Sequence, residues 1–232
     1  MDNSGTGPGP ITPDGSPVAF YTLLEPGGEP EIVAQVTPPG GSVLELGAGV
    51  GRVTHPLVER GFDVVAVDES AEMLAHVRGA ATVLARVQGL RLGRRFDTVM
   101  LASHLIHTAG DPGRRELIAT CARHVEPGGA VLIEWTPPEA HDGWHAGMGR
   151  DEGDLTVTMA AVEEVSPGLF RATMRYTHAG DGEEGERVWT QSFTSRRLTD
   201  DELAAALAAE GLRLERFLTE DRRWVVAVPA AR

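Results

Sequence analysis

The stretch Val43-Leu44-Glu45-Leu46-Gly47-Ala48-Gly49-Val50-Gly51-Arg52 constrains the fold of this chain more than any other. The run Ser42–Leu46 reads as a buried strand. Glycines at every second position follow it. Gly51–Arg60 then reads as a helix that Gly61 stops. A strand that turns into a helix over glycines lets the backbone adopt positive φ and leaves no Cβ between it and a ligand. The helix start adds unpaired N–H groups. Such a unit needs a parallel strand beside it, and the sequence supplies several.

Asp63–Val67 is a second strand, and Ser70 can cap a helix carrying Met73, Leu74 and Val77. Ala81–Val87 and Phe96–Ala102 read as strands three and four. Asp111-Pro112 is an N-cap and N1 pair for a helix with Leu117, Ile118 and Cys121. Glu126-Pro127-Gly128-Gly129 turns into a fifth strand, Ala130–Trp135. This alternation predicts an α/β fold with a doubly wound, mostly parallel sheet. After Pro137-Pro138 the pattern changes. Leu155–Glu164, Leu169–His178 and Arg187–Thr194 alternate polar and apolar residues, as antiparallel strands do, and an acidic loop, Ala179 to Glu186, joins the last two. Thr199-Asp200-Asp201-Glu202 is a capping box for a last helix, and Leu212–Thr219 with Trp224–Pro229 forms a C-terminal hairpin. The expected organisation is a loop-like, flexible N-terminus over 1–17, with short helices over Pro17–Leu24 and Pro30–Val36. A core follows over 18–136, then an antiparallel β insert covering the substrate over 137–195, and a helix and hairpin over 196–232 that complete the core sheet.

The bulk numbers remove whole classes of function. With 34 acidic residues against 21 basic ones, all arginine, the net charge of −13 offers no footprint for nucleic acid. A neutral or cationic small molecule suits that field better. No apolar run is long enough to span a bilayer, so no membrane partner is expected. MDNSGTGPGP lacks the basic flank and apolar segment of a signal peptide, and the single Cys121 agrees with a reducing compartment. Together these predict a cytoplasmic protein. The exposed edge of the antiparallel segment allows a homodimer.

Two features of the parallel part carry the chemistry. Gly47, Gly49 and Gly51 give G-x-G-x-G; a nicotinamide-dinucleotide fingerprint would place its third glycine at position 52, which is Arg52. Asp68 ends the next strand, where a carboxylate can accept hydrogen bonds from both ribose hydroxyls of an adenosine cofactor. E-L-G-A-G-V-G-R, V-D-E-S-A-E-M-L, F-D-T-V and E-P-G-G, taken together, resemble the class I S-adenosylmethionine-dependent methyltransferases over about residues 41–136. The resemblance implies a Rossmann-like core and S-adenosyl-L-methionine as cofactor. It implies that Glu45, Gly47, Ala48 and Gly49 line the methionine end, that Asp68 holds the ribose, and that Glu69 and Met73 flank the adenine. Leu101, Ala102 and Ser103 would face the sulfonium. Many members carry an acid after the third strand for the adenine amino group. Here Arg86 stands there and cannot accept a hydrogen bond, which leaves a backbone group of Arg86 or Val87 to replace it. The layout of the later part is similar to amino-sugar N,N-dimethyltransferases and glycine N-methyltransferase-like enzymes.

The resemblance implies a small-molecule N- or O-methyltransferase; the altered adenine position keeps a cofactor-binding protein without turnover as the alternative. Methyl transfer is an in-line displacement in which the protein aligns the nucleophile and excludes water. A base is needed for a hydroxyl or an ammonium acceptor. His104, His107, His141, His145 and Glu134 are the candidates. His104 follows Ser103 at the mouth of the fourth strand, where ligands of open α/β sheets bind, and is the expected catalytic residue. Glu134 and Trp135 end the fifth strand beside it and are expected at the substrate. Trp144 and His145 are expected at the substrate as a lid, with Trp144 pinning the loop to the core as the alternative; Phe20 and Tyr21 are expected to cover the cofactor, Tyr21 also at the substrate, with core packing as the alternative for Phe20. No set of residues in the sequence is spaced as a metal site.

Overall fold

The computed structural model describes residues 3–180 and 185–231. The chain divides into two compact units, Glu25–Pro138 with Leu198–Arg232, and Met1–Leu24 with Glu139–Arg197.

The central strands of the first unit alternate between two apolar faces. β2 (Ser42–Leu46), β3 (Asp63–Asp68), β4 (Ala81–Leu84), β5 (Phe96–Leu101) and β6 (Val125–Glu134) run parallel; β12 (Trp224–Pro229) joins β6 antiparallel, and β11 (Leu212–Phe217) closes the edge. The order is β11-β12-β6-β5-β2-β3-β4. Leu44, Leu46, Val65, Val67, Val99, Leu101, Val131, Ile133, Val225 and Ala227 point to one face. There they meet Leu117, Ile118 and Cys121 of α5 (Asp111–His124) and Leu203 and Leu207 of α7 (Asp200–Ala209). Val43, Val64, Met100, Leu132 and Val226 point to the other, against Val33 of α2 (Glu29–Ala34) and Leu57 of α3 (Thr54–Glu59). A strand buried on both faces has no polar alternation, which is why these runs are apolar throughout.

Helix ends depart from the sequence reading for local reasons. α3 starts at Thr54 rather than Gly51, because Gly51 sits at φ +85°, outside the right-handed helix. Gly110, not Asp111, is the N-cap of α5; the Asp111 carboxylate accepts instead from Arg114 Nη1 at 2.6 Å. α4 (Ala71–Leu74) has Ser70 as its cap, and the capping box of α7 is complete: Glu202 N donates to Thr199 Oγ1 at 3.2 Å and Thr199 N to Glu202 Oε2 at 2.7 Å. Thr199→Ala should cost about 1 kcal/mol in urea-unfolding stability with cofactor affinity unchanged.

The second unit is a five-stranded antiparallel sheet, in the order β1 (Ser4–Thr6), β10 (Arg187–Arg196), β9 (Leu169–His178), β8 (Leu155–Ser166) and β7 (Gly149–Glu152). The three strands expected there are present as β8, β9 and β10, with β7 added at one edge. Residues 181–184 of the expected acidic loop lie outside the described residues. The N-terminus corrects the expected lead-in. Ser4–Thr6 form β1 on β10, Thr6 and Thr190 share a 2.7 Å hydroxyl contact, and Trp189 Nε1 donates to Pro8 O at 2.8 Å. Glycine here permits close packing: a Cβ at Gly5 would lie 2.0 Å from Gly15 O. Phe20, in α1 (Val18–Tyr21), packs in this unit's core, stacked on Tyr176 at 4.1 Å. Among the described residues no helix is long and apolar enough to cross a membrane.

Candidate active site at the strand ends

The sheet order reverses at β2, with β3 and β4 on one side and β5 and β6 on the other. Connections leaving β2 and β5 therefore part in opposite directions and open a crevice at their carboxyl ends. The glycine turn lies there. Gly47 and Ala48 N–H both donate to Val67 O (2.8 and 2.9 Å), which ties the turn to β3. Gly47 and Gly49 have φ of +79° and +56°. A Cβ at Gly49 would meet only Met73 Sδ, at 4.0 Å, so this side of the turn is open.

Two carboxylates flank the turn. Glu45 is 3% exposed and accepts from Thr54 Oγ1 at 2.5 Å. Burial pushes its carboxyl up to about 7, with the Thr54 hydrogen bond and the Arg52 charge pulling the other way. Asp68 is half-buried at the end of β3. Its Oδ2 accepts from Gly49 N at 2.8 Å and its Oδ1 from Ser70 N at 2.9 Å, so the side chain is aimed by the turn on one side and by the α4 cap on the other. Met73 is buried beyond it and Val87 is buried after β4. Glu69 and Arg86 pair with each other at 3.3 Å.

The other wall is built from β5 and β6. Ser103 and His104, directly after β5, are consecutive non-glycine residues at positive φ (54° and 59°). Left-handed backbone costs a non-glycine residue about 1–3 kcal/mol, and it persists where surrounding contacts fix it. The contacts are specific. Ser103 N donates to Glu134 Oε2 at 2.8 Å, His104 Nε2 lies 3.9 Å from Glu134 Oε1, and His104 Nδ1 lies 3.2 Å from Thr136 Oγ1. Thr136 N donates to His107 Nε2 at 2.7 Å, which makes buried His107 a support of this wall. Leu105 reaches under the glycine turn: a Cβ at Gly47 would lie 2.8 Å from its Cδ1.

Two expected residues turn into the core of the sheet. Trp135 turns into the core, where its Nε1 donates to Arg222 O at 2.6 Å, because β6 pairing with β12 sets its side chain on the buried face. Leu101 is fully buried in the same core, so only Ala102 and Ser103 stand at the strand end. In the other unit, Trp144 packs on buried His141 (4.2 Å) and near Phe193, which pins its loop within that unit. His145 is exposed and bonds to Ala146 O, and the Tyr21 hydroxyl donates to Gln191 Oε1 at 3.2 Å.

Residues 43–129 match the model of the methyltransferase domain family. This part of the chain is similar to a methyltransferase domain. An uncharacterized methyltransferase of Mycobacterium tuberculosis (strain ATCC 25618 / H37Rv) is 35% identical over 141 residues, 59% of this chain and 57% of that protein. The chain thus spans little more than half the length of such relatives. A dTDP-3-amino-3,4,6-trideoxy-alpha-D-glucopyranose N,N-dimethyltransferase of Streptomyces venezuelae is 28% identical over 193 residues, 80% of this chain and 81% of that protein. Among solved structures, the CcbJ methyltransferase from Streptomyces caelestis aligns with a TM-score of 0.73 at 22% identity, covering 92% of this chain and 96% of that one, and shares the fold.

Around this crevice, three supporting residues carried no sequence signal. Thr54 bonds to Glu45, Thr136 links His104 to His107, and Leu105 fills the space that Gly47 leaves. Each lies outside the glycine and strand-end pattern, and only the fold brings it to the crevice.

Proposed function

We propose that the protein transfers a methyl group from S-adenosylmethionine to a nitrogen or oxygen of a small molecule, with an amino sugar as the favoured acceptor class. The observation that carries this reading is one crevice flanked by an open glycine turn, an aimed Asp68 carboxylate and a strained Ser103–His104 wall. The amino-sugar class rests on the Streptomyces venezuelae relative, which covers most of both chains.

The residues present suit the cofactor. The turn leaves room where a side chain would intrude at Gly49, and Asp68 lies where ribose hydroxyls can donate to it. Glu45 is a buried carboxylate with one hydroxyl partner, placed to receive the ammonium of the methionine end. The cofactor supplies a methyl group on a positively charged sulfur. Held there, it would supply that methyl to the acceptor lone pair, with the thioether as leaving group. His104 takes the proton released by an ammonium or hydroxyl acceptor, and Glu134 and Thr136 hold the wall around it. The one other reading is binding without turnover, motivated by Arg86 standing where many members carry an acid; Arg86 pairs with Glu69 at 3.3 Å.

Incubation with S-adenosylmethionine and dTDP-3-amino-3,4,6-trideoxy-D-glucopyranose should release S-adenosylhomocysteine. Calorimetric binding of S-adenosylmethionine with no release from this or other amino-sugar and hydroxylated acceptors would favour the second reading; binding of NAD in its place would overturn both. Asp68→Ala should weaken S-adenosylmethionine binding by about 10- to 100-fold, the loss of charge-assisted hydrogen bonds worth ~1.5–3 kcal/mol. An unchanged dissociation constant in a folded variant would remove Asp68 from the cofactor site.

A further inference from the structure

Glu134 stands at the acceptor side of the crevice, where a carboxylate invites assignment as a substrate contact. Its hydrogen bonding says otherwise. Oε2 already accepts from Ser103 N at 2.8 Å, the peptide that opens the left-handed pair Ser103–His104. The two partners differ in rigidity. Glu134 is the last residue of β6, paired with Trp224 of β12, while its neighbour Ile133 pairs with Leu101 of β5. Trp135 N then donates to Arg223 O at 2.9 Å. Ser103 and His104 have left the sheet, and their next regular bonds are those of the short 3-10 turn Leu105–His107. A carboxylate launched from a fixed strand therefore holds a segment that its own backbone preferences would release.

We propose that Glu134 is a positioning residue, whose Oε2 keeps Ser103 and His104 in the left-handed conformation and so sets the imidazole at the crevice mouth. The bond needs an acceptor oxygen and no charge. Glutamine can supply that oxygen and alanine cannot. The left-handed conformation also keeps Leu105 under Gly47, so one hydrogen bond couples the acceptor wall to the glycine turn. This inference rests on the proposed role of His104 for its catalytic consequence; its structural consequence stands independently.

The test compares Glu134→Gln, Glu134→Ala and Glu134→Ala/Ser103→Gly in the full-length protein with S-adenosylhomocysteine bound. Hydrogen exchange of the Ser103 and Leu105 amides should rise about tenfold in Glu134→Ala and stay near wild type in Glu134→Gln; in the double variant the amide at position 103 still lacks its acceptor and stays fast, while that of Leu105, which donates to Ala102 O, falls back, because glycine adopts positive φ without a Cβ penalty. With the dTDP-amino sugar, kcat should follow the same order while KM stays constant. Equal damage by glutamine and alanine, a change confined to KM, or unaltered exchange in Glu134→Ala overturns the proposal. If exchange behaves as expected but His104→Ala keeps full turnover, the positioning stands and the proton-acceptor reading falls.

Discussion

Glu45→Gln should stabilise the free protein above neutral pH by about 2–3 kcal/mol while weakening S-adenosylmethionine binding by about 10- to 100-fold. Burial raises the carboxyl from 4.5 to about 7 in the folded state. The unfolded chain, with the lower value, releases its proton first. Between these two values the folded state binds more protons, so stability falls as pH rises. The favourable contribution is complete below about 4.5 and lost as pH passes through 7. At pH 8 wild type folds with an ionised carboxylate in a site with one hydroxyl partner, whereas glutamine carries no charge to desolvate. The melting temperature of the variant should exceed that of wild type by roughly 5–10 °C at pH 8, and the two should converge at pH 4.5. The cost appears in binding, because an amide cannot balance an ammonium. A variant that melts with wild type at pH 8, or binds the cofactor equally well, removes Glu45 from this role. Opposite signs for stability and affinity at one residue mark a site kept for its ligand at the expense of the fold.

The parallel sheet was legible because its central strands are apolar on both faces and each is followed by a turn signal. Gly47, Gly49 and Asp68 could be placed from sequence for the same reason: their positions follow from strand ends, which periodicity locates well. Asp68 bonding to Gly49 and Ser70 is the direct consequence of β2 and β3 ending side by side. Side-chain direction was less legible. Trp135 and Leu101 lie at strand ends, yet both point into the core, because a shift of one position along a strand reverses the face. The N-terminus was misread because β1 has only Ser4, Gly5 and Thr6 and gains its order from β10, far away in sequence. Thr136 and Leu105 were missed because ordinary residues become supports only through contacts that the fold creates. The same holds for the left-handed backbone at Ser103 and His104, since neither residue type announces positive φ.

His104→Ala should lower kcat with the amino-sugar acceptor by about 10²–10⁴-fold, the usual loss on removing a general base, with S-adenosylmethionine affinity nearly intact. The backbone geometry complicates this variant, because alanine is disfavoured at φ +59° and its loss could reflect a displaced wall rather than a missing base. His104→Asn separates the two. Asparagine tolerates left-handed backbone and its amide can keep a hydrogen bond to Thr136 Oγ1, yet it has no basic nitrogen. If His104 accepts the proton, asparagine should be as slow as alanine. If His104 only shapes the wall, asparagine should recover most of the rate. An acid limb in the rate cannot settle the matter, because protonating either an imidazole or an amine acceptor removes a lone pair. Full turnover by both variants would leave catalysis to alignment alone: a neutral amine held in line with the methyl carbon needs no base, and the strained segment would then serve only to hold Leu105 beneath Gly47.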